Sequence, residues 1–476
     1  MAINISIAPN TATKADIQAA FDAQKAFAPS LVLTDHRVRR EKIKRLLDFV
    51  TKHQAAIAKA IYQDFKKHPT EVDLTETLVI QSEAKHAMKH LKTWMRPKKV
   101  SVPLTMVGTA GRIVYEPKGV SLIIAPWNYP FQLMVGPLIS AIAAGNTAIL
   151  KPSEMTPHTS ALIKEMVEEL FEPHEVTVFE GNYEISQELL KLPFNHIFFT
   201  GSPQVGKIVM TAAAKHLTSV TLELGGKSPA IVDETANVKD AAQKIAWGKL
   251  INNGQTCIAP DYVLVQESQS DAFVNEFKAS VARMYDGNPA DSTSYCRIVN
   301  ARHYERINDL LKDAVEKGAN VLEGGETNAD ENFIAPTLLT DVNDEMRIMQ
   351  EEIFGPVLPM KTFRNAEEVA QTINARPKPL AMYINSKSKK NTDYFLKHIR
   401  SGDVAINDTM IHFAHNELPF GGANNSGIGK SGGHAGFLAF SHERSVLKQV
   451  YGTFKPFYPP YTPKVQKMLD WVKKLV

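Results

Sequence analysis

The sequence predicts an α/β protein with two parallel sheets, and three observations lead there. From Gly119 onward, short apolar runs alternate with helical stretches, the order that strand–helix–strand crossovers impose on a parallel sheet. The runs at 120–124, 147–150, 176–179 and 196–199 are almost wholly apolar rather than alternating, as in strands covered on both faces. Finally, 476 residues are too many for one compact core, so at least two domains are expected.

Taken in order, residues 37–66 form a predicted helix, because Ile43, Leu46, Leu47, Val50, Ile57 and Ile61 keep roughly helical spacing between charges. A second helical stretch over about 72–95 stops before Pro97, which cannot continue a helix. Residues 98–118, rich in Lys, Val, Gly and Pro, are expected to be extended, as a hairpin. After the four apolar runs comes a strand at 219–224. The alternation then restarts with a strand at 229–232, a helix at 238–251, a strand at 262–266 and helices at 269–285 and 301–317. Two α/β domains joined near residue 225 account for this order. No internal repeat or low-complexity segment is visible.

Composition narrows the function classes. The chain is 44% hydrophobic and 22% charged, with a formal net charge of +3, so nothing favours a nucleic-acid partner. Cys257 and Cys296 are the only cysteines. They support neither a disulfide framework nor a zinc cluster, no metal site is expected, and the usage fits a reducing compartment. The start, Met1-Ala2-Ile3-Asn4, lacks the basic and apolar regions of a signal peptide. No segment approaches the ~20 apolar residues of a membrane span. The expected location is the cytoplasm.

Several segments carry chemistry-bearing residues, each with a plain alternative. Asn252-Asn253-Gly254-Gln255-Thr256-Cys257 puts a thiol behind a glycine, on a loop suited to a nucleophile. In Phe199-Thr200-Gly201-Ser202-Pro203-Gln204-Val205-Gly206-Lys207 a buried strand meets glycine and then a helix. Free N–H groups there suit a phosphate, although strand–Gly–helix turns are common fold geometry. Lys151-Pro152-Ser153-Glu154 follows a strand directly and could bind ribose hydroxyls, or be a charged turn. Asn128, stiffened by Pro126, Trp127, Tyr129 and Pro130, could donate to an oxyanion or satisfy a turn. Glu223, between two leucines at a strand end, would be desolvated and basic, or paired with a lysine. Glu351-Glu352-Ile353-Phe354-Gly355-Pro356 offers acidic groups to a sugar hydroxyl, or ends a helix.

Together these motifs resemble, in order and over nearly the whole chain, those of the aldehyde dehydrogenase superfamily. The match runs through Pro126-Trp127-Asn128-Tyr129-Pro130, Lys151-Pro152-Ser153-Glu154, Phe199-Thr200-Gly201-Ser202, Leu222-Glu223-Leu224-Gly225-Gly226-Lys227, Gly254-Gln255-Thr256-Cys257, Glu352-Ile353-Phe354-Gly355-Pro356 and Pro419-Phe420-Gly421-Gly422. Ala246-Trp247-Gly248-Lys249, Ala259-Pro260-Asp261-Tyr262 and Phe440-Ser441-His442 look like the class 3 branch, which includes fatty and aromatic aldehyde dehydrogenases.

The resemblance implies an aldehyde dehydrogenase-like fold. It comprises a Rossmann-type NAD-binding domain (1–97 and 119–225), an α/β catalytic domain (226–408), a bridging and oligomerisation β element (98–118 and 409–446) and a C-terminal tail (447–476). It further implies that Cys257 attacks an aldehyde, that Asn128 and the Cys257 backbone N–H bind the oxyanion, and that Glu223 activates water against the thioester. Lys151 and Glu154 would hold the adenosine ribose, Gly201, Ser202 and Gly206 the diphosphate turn, and Glu352 the nicotinamide ribose, with Phe354 nearby. Tyr129, Trp247, Ile251, Met410 and Phe413 would line the substrate, or be ordinary core. The cofactor is expected to be NAD, because Glu154 would repel a 2′-phosphate; NADP stays open, because the branch includes users of both.

A homodimer is implied, with a small-molecule aldehyde as substrate. Two departures stand out: Ala423-Asn424-Asn425, which leaves the loop near the substrate entrance in doubt, and Pro203-Gln204 in the diphosphate turn. Cys296 is expected to be a buried apolar residue without a role. In the tail, Val465, Met468, Leu469, Val472 and Leu475 form a stripe among lysines. Such a stripe more often packs on its own protein; by resemblance it could cap the substrate funnel or touch a membrane surface. Two rival functions remain: an acylating enzyme that passes the thioester to coenzyme A and has no need of Glu223, and a catalytically silent binding protein.

Overall fold

The computed structural model describes residues 12–474, so the first residues of the chain, with the signal-peptide expectation that falls on Met1 to Asn4, and Leu475 lie outside the described residues. The first helix, α1 (Lys14–Leu31), starts on a reciprocal Thr13–Asp16 capping box. The single helix expected over 37–66 is two, α2 (His36–Lys52) and α3 (Gln54–Phe65), because His53 leaves helical geometry at φ −110°, ψ 18°. Helix α4 (Pro69–Val72) passes through a π-helical turn, Asp73–Thr77, into α5 (Leu78–Trp94). That turn sends the Glu76 carboxylate inward, where Oε2 accepts from the backbone N–H groups of Phe131 (3.0 Å) and Gln132 (3.1 Å). A carboxylate is favoured at this helix start.

The expected hairpin forms from β1 (Lys98–Val100) and β2 (Thr109–Pro117). The strands that follow are β3 (Val120–Ile124), β4 (Thr147–Lys151), β5 (Val176–Val178), β6 (His196–Thr200) and β7 (Ser219–Glu223). They lie parallel in the order β7-β6-β3-β4-β5. Between them run α6 (Gln132–Ala144), α7 (Pro157–Leu170), α8 (Tyr183–Leu189) and α9 (Pro203–Ala214). One sheet face packs Ile123, Ala148, Leu150 and Phe198 against α2, α3, α5, α6 and α7. The other packs Val120, Leu122, Ile149 and Ile197 against α1 and α9. Covering both faces explains the unbroken apolar runs.

A second sheet uses β8 (Pro229–Val232), β9 (Tyr262–Gln266) and β10 (Asn320–Glu323), with a separate two-stranded ribbon of β11 (Thr327–Asn328) and β12 (Phe333–Ile334). It is completed by β13 (Thr337–Thr340), β14 (Val357–Phe363), β15 (Ala381–Asn385) and β16 (Asp403–Ile406), in the order β10-β13-β14-β9-β8-β15-β16. All its pairings are parallel except β10 with β13. Helices α10 (Val238–Leu250) and α11 (Ser270–Met284) cover one face, and α12 (Ala301–Glu316) packs on the other.

Two late segments return to earlier sheets. Strand β17 (Gly427–Ile428) pairs antiparallel with β7, opposing Gly427 to Glu223. Strand β18 (Ser441–Gln449) runs antiparallel to the whole of β2 and makes a three-stranded sheet with the hairpin. Beyond it, the helix over Pro463–Lys473 buries none of its residues. Along the tail stripe, Val465, Met468 and Val472 are half-buried and Leu469 is exposed, so the stripe is only partly covered. Among the described residues, no helix is long and apolar enough to cross a membrane.

Candidate active site

The site gathers at the C-terminal ends of the first sheet's strands, where open α/β sheets bind ligands. The loop after β3 carries Asn128, the loop after β6 carries Gly201 and Ser202, and β7 ends on Glu223. The second sheet contributes the cysteine loop after α10.

That loop has an unusual backbone. Asn252 (φ 54°), Asn253 (φ 57°) and Gly254 (φ 72°) are three consecutive left-handed residues, a conformation that asparagine tolerates and glycine favours. A Cβ on Gly254 would sit 2.3 Å from the Gly355 carbonyl oxygen, so glycine is required there on two counts. Side-chain amides then fasten each peptide. Asn252 Nδ2 donates to the carbonyls of Asn128 (2.8 Å) and Gln255 (3.0 Å), and Asn253 Nδ2 donates to the Cys296 carbonyl (2.6 Å). Gln255 Nε2 donates to Asn252 and Arg297, while its Oε1 accepts from the Val299 N–H (3.0 Å). Cys296 itself is buried in an apolar core, and only its carbonyl meets this loop.

Asn128 is buried and its Nδ2 donates to the Gln255 carbonyl at 3.0 Å. One N–H of that amide is thereby fixed and the other is aimed by the same bond. Glu223 is buried, and neither carboxylate oxygen has a hydrogen-bond partner. Burial pushes its carboxyl up to about 8, against the opposing pull of the nearby Ser431 hydroxyl and Lys430. Its backbone is clamped: the Glu223 carbonyl accepts from Gly201 N–H at 3.0 Å, and Leu224 N–H donates to Ser426 at 3.1 Å. Cys257 is only partly buried by surface exposure, yet its sulfur is enclosed. Burial, with the acidic Glu352 and Glu223 beside it, pushes the thiol up to about 12.

Two cavities meet here, and Leu133, Thr200, Glu223, Leu224 and Cys257 form their common wall. The first, about 720 Å³, is the more polar of the two and includes Asn128, Gly201, Ser202, Glu352 and Phe354. The second, about 500 Å³, is mainly apolar, and Tyr129, Trp247, Ile251, Met410 and Phe413 all line it. Lys151, Glu154 and Gly206 are not among the residues of either cavity. Lys151 ends β4, one strand further from β6, and its Nζ turns back to the Pro152 carbonyl (2.7 Å) and towards Glu154 (3.5 Å). Gly206 instead lets α9 close on β7, since a Cβ there would meet Leu224 at 2.7 Å. Asn425 lines the polar cavity, so the Ala423-Asn424-Asn425 departure touches that side rather than the substrate entrance.

The residues of the polar cavity fit a nicotinamide dinucleotide. Glu352 is enclosed with Oε1 unpartnered, and burial pushes its carboxyl up to about 8, leaving an acceptor for a ribose hydroxyl. Gly225 has no room for a Cβ, which would lie 2.2 Å from Glu352 Oε2. The Glu352 turn is held by Arg306, which donates to the Glu352 (3.1 Å) and Ile353 (2.5 Å) carbonyls, and by Asp261, which accepts from Ile353 N–H (2.8 Å). Phe354 stands edge-on to Trp127 at 5.4 Å between centroids. Ser202 caps α9, whose N-terminal N–H groups suit a diphosphate.

Several contributors escaped the sequence reading. Lys67 and Glu76 form a fully buried ion pair at 3.2 Å, with Lys67 Nζ 4.0 Å from the centre of the Tyr129 ring. The Tyr129 hydroxyl in turn bonds Thr256 Oγ1 at 2.8 Å, next to the nucleophile candidate. Lys249 is buried with its amine unpartnered, and burial pulls it down to about 8. Only the Lys249 position had a visible signal, a lysine within an apolar-flanked helix end.

A thiol, a desolvated carboxylate and an amide donor thus stand together at the junction of a nucleotide-sized cavity and an apolar one. Residues 5–446 match the model of the aldehyde dehydrogenase family, and the chain belongs to that family. It is 44% identical to the 4,4'-diaponeurosporen-aldehyde dehydrogenase of Staphylococcus aureus, covering 96% of this chain and 99% of that one. It is 41% identical to aldehyde dehydrogenase family 3 member H1 of Arabidopsis thaliana, over 89% of this chain and 88% of that one. Among solved structures, the substrate-bound state of Staphylococcus aureus AldH superposes with a TM-score of 0.91 at 43% identity, covering 96% of this chain and 99% of that one.

Proposed function

We propose that the chain oxidises a medium- or long-chain aliphatic or an aromatic aldehyde to the carboxylic acid, through a thiohemiacetal and then a thioester on Cys257. The observation that carries this reading is the wall shared by the two cavities, which holds Cys257 and Glu223 together. Cys257 Sγ attacks the aldehyde carbon from that wall. The remaining N–H of Asn128 Nδ2 and the Cys257 backbone N–H donate to the oxygen as it becomes negative, which lowers the barrier because both are fixed beforehand. When bound, NAD supplies the hydride acceptor. Glu352 takes a ribose hydroxyl through its unpartnered Oε1, Gly201 and Ser202 face the diphosphate at the start of α9, and Phe354 packs beside Trp127. Glu223 then draws a proton from the water that attacks the thioester. In this reading Lys151 and Glu154, 3.5 Å apart at the end of β4, take the adenosine ribose hydroxyls.

Asn128→Ala is expected to lower kcat by roughly 10²–10³-fold with KM little changed, the usual loss for one oxyanion donor. An equal kcat with a raised KM would assign Asn128 to substrate binding instead.

The substrate class is tested by a panel of straight-chain aldehydes, benzaldehyde and cinnamaldehyde with NAD or NADP, reading the absorbance of reduced nicotinamide with and without coenzyme A. Burial of two more methylene groups is worth about 1.6 kcal/mol, so kcat/KM is expected to rise about tenfold per two carbons until the cavity is full. A flat series would remove the long-chain reading, and a rate that requires coenzyme A would favour the acylating rival. Running the chain that ends before Tyr461 in parallel, with vesicle co-sedimentation, tests a tail that contacts a membrane surface through the exposed Leu469 and Trp471. Unchanged selectivity and sedimentation would sink that part. The same reading includes a homodimer formed through the three-stranded sheet, supported by exposed Val100, Leu104, Leu447 and Tyr451 around it. A monomer in analytical sedimentation would remove it.

A further inference from the structure

We propose that His86, His90 and Glu417 form a binding site for a divalent transition metal of the zinc class, at the rim of the apolar cavity. One ring nitrogen from each imidazole and one carboxylate oxygen lie within 4.8 Å of one another. His86 and His90 are one turn apart on α5, so both rings stand on the same helical face, with centroids 4.5 Å apart. The Glu417 carboxylate reaches them from the loop after the short turn Ile411–Ala414, with Oε1 3.7 Å from His86 Nε2.

That loop is fastened to α5 beside the three side chains. Asn416 Nδ2 donates to Ser82 Oγ at 2.9 Å, and the Gly433 N–H donates to Glu83 Oε1 at 2.9 Å. The approach of Glu417 is thus set by its neighbours as well as by its own charge. His90 is further oriented by stacking on Trp94, with ring planes 20° apart. The simpler account, a histidine–glutamate ion pair on a helix surface, explains the His86 contact but gives no reason for the second imidazole to share the same point.

The donor set selects the ion. Two imidazoles and one carboxylate suit zinc or cobalt, with water in the fourth position, whereas calcium and magnesium prefer oxygen ligands alone. At bonds of about 2.1 Å, tetrahedral ligand atoms stand about 3.4 Å apart, so the group must close by roughly 1.4 Å. Glu417, whose side chain is 67% exposed, has the freedom to do so, while His86 at 12% is held. The two histidines are neighbours on α5, but Glu417 lies far along the chain, so their spacing alone announces no ligand set and no metal site was expected.

The position gives the site a consequence. Leu78, Val79 and Ser82 of α5 and His415, Asn416 and Leu418 of the loop belong to the lining of the same apolar cavity. A metal bound to His86, His90 and Glu417 ties one part of that lining to another.

The test is equilibrium dialysis against zinc, with an optical titration by cobalt, on full-length Cys257→Ala protein, so that the cavity thiol contributes nothing and no turnover is needed. About one zinc per chain is expected, with the intense visible bands of tetrahedral cobalt and no competition from magnesium. His90→Gln and Glu417→Gln, both at partly or fully exposed positions, should each weaken binding by at least about tenfold. Absence of zinc binding, or binding that either substitution leaves unchanged, overturns the site without bearing on aldehyde oxidation.

Discussion

Cys257→Ser is expected to lower kcat for aldehyde oxidation by at least about 10⁴-fold and to remove any ester hydrolysis, with the melting temperature nearly unchanged. The magnitude is that of losing a covalent nucleophile whose partners act as a unit. Serine fits the same space, and the loop beneath it is held by Asn252, Asn253 and Gln255 rather than by the sulfur. The defect is therefore chemical. In a site whose burial already pushes a thiol up to about 12, a hydroxyl has far less access to its charged form. Stopped-flow measurement of reduced cofactor should show neither a burst nor turnover. Substantial activity on either an aldehyde or an ester would remove Cys257 from its proposed role.

The second large effect separates two stages of one reaction. Glu223→Gln should still give a rapid single burst of reduced cofactor, followed by turnover slowed roughly 10²–10⁴-fold, the range for removal of a general base. Glutamine is nearly isosteric, and the carboxylate it replaces is held by no close hydrogen bond, only by the weak pull of Ser431 and Lys430. The pH dependence follows from burial. With its carboxyl pushed up to about 8, Glu223 is mostly protonated at neutral pH and becomes the competent base as pH rises. The slow step should accelerate from pH 6, reach half its maximum near pH 8 and level off about one unit higher, and the glutamine variant should lose that limb. Loss of the burst itself, with cofactor binding intact, would instead make Glu223 necessary for activating the thiol.

Local chemistry was legible in the sequence wherever one short segment carries it. The strands of the first sheet announced themselves because both faces are covered, and Glu223 because a carboxylate at the end of such a strand is costly. The break at His53 was hidden by apolar spacing that continues across it into α3. The strands after residue 320 were not assigned, and the tail helix leaves its amphipathic stripe only partly covered. In the site, Cys257 and Glu223 at the shared wall, and Asn128 in the first cavity, came from recognisable segments. The Lys67–Glu76 pair beneath Tyr129 depends on a π turn that redirects one side chain, which no periodicity displays. Lys151 and Glu154 illustrate the opposite limit. A strand end was visible in the sequence, but the order of strands across the sheet was not, and β3 lies between β4 and β6.

The wall shared by the two cavities also governs traffic. Because the polar and apolar chambers have separate linings and meet only around Cys257, an aldehyde and a dinucleotide have no need to pass through one doorway. A bulky apolar tail can stay in its own chamber while a spent cofactor leaves by the other. In the proposed reaction, the acyl group tethered to sulfur stays at the partition. Departure of one visitor then need not wait for the other, and crowding in the apolar chamber becomes a question of which aldehyde is admitted rather than of how quickly the cofactor is exchanged.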